Sequence, residues 1–126
     1  MTVLQQPATM GDVLKYEVNP NFTRETVTLL AGTAYPLGAV LGRITASGKY
    51  KLATSGGSDG AQTAAAVLLI AVDATGADAI GVVLMRGPAI VSKAALVFDA
   101  TVDDAPKTAT KLGQLTALGI VPRDTA

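Results

Sequence analysis

Turn residues cut the stretch 23–101 into short apolar runs, and no long amphipathic helix fits between the cuts. The runs are 26–30, 39–45, 50–54, 64–72, 79–86, 90–92 and 96–98. The breaks fall at Ala31-Gly32-Thr33, Pro36, Ser47-Gly48, the loop from Ser55 to Gly60, Thr75-Gly76 and Gly87-Pro88. Short strands at this spacing predict an all-β sandwich, barrel or clip rather than a βαβ layout.

The block 37–72 shows the pattern best. Val40, Arg43, Thr45, Lys49 and Lys51 interleave with Leu41, Ile44, Tyr50 and Leu52, which predicts a strand, a turn at 46–48 and a returning strand. The glycines of Ser55-Gly56-Gly57-Ser58-Asp59-Gly60 make positive φ cheap, and Asp59 is placed to cap a turn. The apolar run 64–72 is far short of the roughly 20 residues that cross a bilayer, so it reads as a buried strand.

Two segments flank this region. Residues 1–22 read as a flexible arm, with Pro7 and Pro20 interrupting regular structure and about 70 Å of reach when extended. Within it Asp12, Val13, Leu14, Lys15, Tyr16, Glu17 and Val18 alternate well enough to pair with a sheet edge. Residues 23–126 form a single β-rich domain with one helix at about 105–118. Asp103 or Asp104 serves as its N-cap, Pro106 lies in its first turn, and Ala105, Ala109, Leu112, Leu115 and Leu118 recur at helical spacing. Gly119 is placed for a left-handed C-terminal ending, with Ile120 returning to Leu115. The last residues, VPRDTA, read as tail.

Chemistry is sparse. The chain has no His and no Cys, which excludes histidine bases, disulfides and thiolate metal sites. Gly56-Gly57-Ser58-Asp59-Gly60 matches the G-x-S-x-G elbow, yet it has no histidine base and is followed by a strand rather than a helix. Ser92 and Lys93, adjacent on a strand, point to opposite faces. Asp73 to Asp78 lacks the alternating acids and distal Glu of a calcium loop, so a hairpin turn is expected. No catalytic, cofactor or metal residues are assigned; Asp59 and Asp73 are the residues an unrecognised enzyme site would use. Ten basic and ten acidic residues are scattered singly, which disfavours direct nucleic-acid binding. Neither a membrane span nor a secretion signal is read, so cytosolic synthesis is expected. Charged residues are 16% of the chain, against about 25% in typical domains. That leaves too little charge to coat a monomer and predicts burial against copies or a partner. A small β-barrel module for a sugar or other ligand is the alternative, although no aromatic platform is evident.

ETVTLLAG (25–32), GAVLGRITASGKYKLA (38–53), DGAQTAA (59–65), AVDATGAD (71–78), VVLMRG (82–87) and LTALGIVPRD (115–124) together resemble the head-decoration protein family of lambda-like tailed bacteriophages. Glu17, Asn19 and Thr23-Arg24-Glu25 resemble the family's E-x-N…[ST]-R-E pattern. Near 96–98, where relatives often carry Trp, this chain has Phe98. The resemblance implies a β-clip protein without catalytic activity that forms homotrimers on the outer surface of the virion. It implies seats at threefold and quasi-threefold positions of the expanded head, cementing the major capsid protein against DNA pressure. It also implies an arm that orders against that protein. The residues of the trimer interface are not assigned.

Overall fold

The computed structural model describes residues 13–124. In chain order its elements are β1 (Leu14–Glu17), α1 (Pro20–Thr23), β2 (Arg24–Leu29), β3 (Thr33–Tyr35), β4 (Val40–Arg43), β5 (Tyr50–Leu52), β6 (Ala64–Leu68), β7 (Val72–Ala74), β8 (Ala79–Leu84), β9 (Ala89–Ser92), α2 (Ala105–Ala117) and β10 (Ile120–Arg123). A short 3-10 turn at Lys93–Ala95 precedes α2. Among the described residues the protein is mainly β, 39% strand against 19% helix, as the turn punctuation predicts.

Five strands close a barrel in the order β2-β5-β4-β6-β8. Its longest seam pairs β2 with β8, from Arg24 opposite Leu84 to Leu29 opposite Ala79, and the parallel contact of Leu29 with Tyr50 completes the ring. Closure leaves the barrel without free edges. The period of two then splits the apolar residues between two cores. Leu29, Leu41, Tyr50, Ala66, Leu68 and Val83 form one cluster. Val40, Val67, Leu69 and Leu84, alternating with them, pack beneath a second layer that contributes Val13, Val91, Leu115 and Ile120. Gly42 in the barrel wall has a packing reason: a Cβ there would stand 2.2 Å from the Ala61 carbonyl oxygen.

The covering layer is a three-stranded sheet, β1-β9-β10, together with α2. β1 pairs with β9 antiparallel, while β10 pairs with it in parallel after the chain has crossed over through α2. Here the reading of VPRDTA as tail is corrected: Val121 to Arg123 belong to the strand Ile120–Arg123, paired with β9. Three further boundaries differ. The run 64–72 breaks after Leu68, and Val72–Ala74 instead pairs with Thr33–Tyr35, a segment that reads locally as turn. Leu96 to Phe98 makes only an isolated bridge, Ala39 to Val97.

The helix keeps its expected ends. The Asp104 carboxylate accepts from the Lys107 N–H at 2.9 Å, and Gly119, at φ +85°, donates its N–H to the Thr116 carbonyl at 2.9 Å. Its buried face differs from the apolar spacing. Lys111 and Leu115 are buried, Leu112 and Leu118 are half-buried, and Ala105 and Ala109 are exposed. Lys111 lays its aliphatic stem inward and donates from its ammonium to the Gln62 carbonyl, tying α2 to the loop before β6. Burial pushes its pKa down.

Candidate functional site

Of the alternating segment read as a sheet-pairing arm, Asp12 lies outside the described residues. The rest is placed against the body. Val13 is 1% exposed in the outer core, and Leu14 to Glu17 form β1, already paired on one side with β9. A bulge between Leu14 and Tyr16 puts Lys15 at the surface, and Tyr16 and Val18 are 52% and 51% exposed. The pairing tendency of this segment is thus met within the chain on one edge, and among the described residues β1 is an edge strand. The described part of the segment read as an arm, residues 13–22, therefore lies against the body.

What fixes β1 is polar. The Glu17 carboxylate accepts from the Thr23 hydroxyl at 2.6 Å and from the Arg24 guanidinium at 3.2 Å (Nε) and 2.5 Å (Nη2). Burial alone would push this carboxyl up, but the hydrogen bonds from Arg24 and Thr23, with the Arg24 charge, outweigh it and hold the group below its ordinary value. Asn19 caps α1, its side chain accepting from the Asn21 N–H and its carbonyl from Thr23. Arg86 pairs with Glu25 at 3.1 Å, donates to the Phe22 carbonyl and lies 5.4 Å from the centre of the Phe22 ring. Every named position of E-x-N…T-R-E therefore has a mechanical role: together these residues lock the end of β1 against α1 and β2.

The chemical candidates behave as turn residues. Asp59 accepts from the Ala61 N–H at 3.1 Å and pairs with Lys51 at 2.7 Å; these contacts hold its carboxyl below the usual range. Asp73 accepts from the hydroxyl and N–H of Thr75, with the same effect. Ser92 is buried, and Lys93 reaches Asp124 at 3.7 Å. Carboxylates pushed down and already hydrogen-bonded are the opposite of a poised general base. Among the described residues no cluster of metal-ligating side chains and no unsatisfied buried side-chain polar atom occurs. No helix there is long and apolar enough to cross a membrane.

An open groove of about 420 Å³ lies against β3 and β7, lined by Ala34, Tyr35, Pro36, Ala71, Val72 and Asp73. Its aromatic residue offers no stacking face for a sugar. Tyr35 is 3% exposed, and its hydroxyl already donates to the Leu30 carbonyl at 2.8 Å. The sheet of β1, β9 and β10 is different. Its outward positions are apolar and exposed around Tyr16, and sequence reasoning missed its third strand because 120–123 carries Pro122 and too few residues for a periodic signal.

Compared with known proteins, the chain matches the family described as bacteriophage lambda head decoration protein D over residues 3–120. No curated protein matches it.

Proposed function

The chain belongs to the bacteriophage lambda head decoration protein D family, a structural capsid family rather than an enzyme family, and we propose that it cements an expanded head from outside as a homotrimer. Membership gives it a structural role in a phage capsid and a place in the virion. The proposal adds the seat, at threefold and quasi-threefold positions, and the partner, the major capsid protein. It also adds manufacture in the host cytoplasm.

The observation that carries this reading is the locked root of β1. Residues 1–12 precede a strand clamped by Glu17, Thr23 and Arg24, with Tyr16 and Val18 facing outward beside it. An arm fixed at its base delivers whatever grips it directly to the body. The segment Asp12 to Val18 that ends the arm adds as a strand to an exposed edge of the capsid protein through the edge of β1 that β9 leaves open, with Tyr16 and Val18 in the contact. Ordering costs about 1 to 2 kcal/mol per residue, so one arm holds weakly. Three arms on one rigid trimer gain about 10² to 10⁴ in avidity when their spacing matches the sites. A shell whose sites are too close together fails that match, which makes binding selective for expanded heads.

Imaging of expanded, undecorated heads mixed with the purified protein tests this. Trimeric density at threefold positions is the expected result, and bare heads at saturating protein overturn the reading.

A further inference from the structure

Across the covering sheet, register aligns three apolar side chains. Tyr16 of β1 lies opposite Ile90 of β9, and Ile90 lies opposite Val121 of β10. Residues in register project to one face, and the row's neighbours Glu17, Ala89 and Ile120 turn the other way, into the molecule. Tyr16 is 52% and Val121 39% exposed, with Ile90 half-buried between them. Val18 continues the patch, its N–H held by the Pro88 carbonyl at 3.1 Å. At about 4.8 Å between strands, the row makes an apolar strip roughly 10 Å across.

We propose that this outer face, including Val121 of the C-terminal strand, is a docking surface for the same capsid subunit that the arm grips; the inference rests on the functional reading above. The place where the proposed arm enters β1 selects that occupant. Residues 1–12 precede Val13, which leads directly into β1 at one edge of this sheet. Any partner that holds residues 1–12 is therefore brought to within four residues of Tyr16. The apolar row is the nearest surface it meets. The arm then supplies reach, while the face supplies a preformed contact that costs little ordering entropy because its backbone is already hydrogen-bonded into a sheet.

The test titrates expanded, undecorated heads with the full-length protein and with Val121→Glu, measuring bound protein by sedimentation, mass by light scattering and melting temperature. The substitution lies outside the arm and at a half-exposed position. Binding is expected to weaken on the order of tenfold or more, with the oligomer mass and melting temperature unchanged. Val121→Thr, which keeps the β-branched shape, is to be used if the glutamate protein melts well below the unmodified one, with a several-fold loss expected. Unchanged head binding overturns the inference alone. An altered oligomer mass also overturns it, since the face would then lie between copies of this chain. Failure of the unmodified protein to bind heads overturns the functional reading, and this inference with it.

Discussion

Glu17 shows how much a single side chain organises in this protein. It brings together the start of β2, the end of α1 and the strand β1, and its carboxylate is nearly buried between Thr23 and Arg24. Replacing it with Gln removes a charge-assisted set of hydrogen bonds and is expected to cost about 1.5 to 3 kcal/mol at neutral pH, read from denaturant midpoints. The pH dependence follows from the lowered pKa. Such a group contributes stability above its ordinary value of 4.5 and loses it as pH falls through the lower, folded-state value, so the gap between the unmodified protein and Glu17→Gln should close in strongly acidic solution. A gap that stays constant with pH would show that the carboxylate's charge is not what matters. The functional pattern around it was visible in the sequence, but its cause was not. The bonds from Thr23 and Arg24 reach back six and seven residues across a helix and a turn, beyond any local rule.

Among the elements, α2 was the most legible and the covering sheet the least. Asp104, Pro106 and Gly119 are local signals, and all three act as their chemistry requires. Gly119→Val places a β-branched residue at φ +85° with its Cβ 3.2 Å from Gly87, and roughly 2 kcal/mol of lost stability is expected in chemical denaturation. A change under half a kilocalorie would mean the backbone there relaxes freely. The buried face of the same helix was misread because a lysine is counted as polar, whereas Lys111 is 2% exposed with its ammonium on a backbone carbonyl. The strands β3, β7 and β10 have three or four residues each, too few for alternation to register, and each is made by a partner distant in sequence. The barrel strands were legible because turns bracket them. The candidate binding surface was legible only at β1, since the register that aligns Val121 with Tyr16 exists only once β9 lies between them.

At the level of the whole molecule, the described body begins at Val13, and truncations should separate it from the proposed arm. Removing residues 1–12 is expected to leave melting within a few degrees of the full chain while head binding falls sharply, because no described core residue is lost. Removing 1–21 deletes Val13 and the β1 pairing with β9, and so should destabilise the body as well. Equal melting of the two truncated proteins would contradict the placement of β1. The chain has no histidine, and hydrogen bonds and cationic partners hold Glu17, Asp59, Asp73, Asp78 and Asp103 below their ordinary values, so head binding should be flat between about pH 6 and 8. A steep change there, measured by sedimentation, would assign the titrating group to the capsid partner. The antiparallel pairing of β1 with β9 also has a mechanical consequence. A pull on the arm in line with β1 shears all of its bonds to β9 at once, whereas a sideways pull peels them one by one, so the direction of the tether decides how much tension the grip survives.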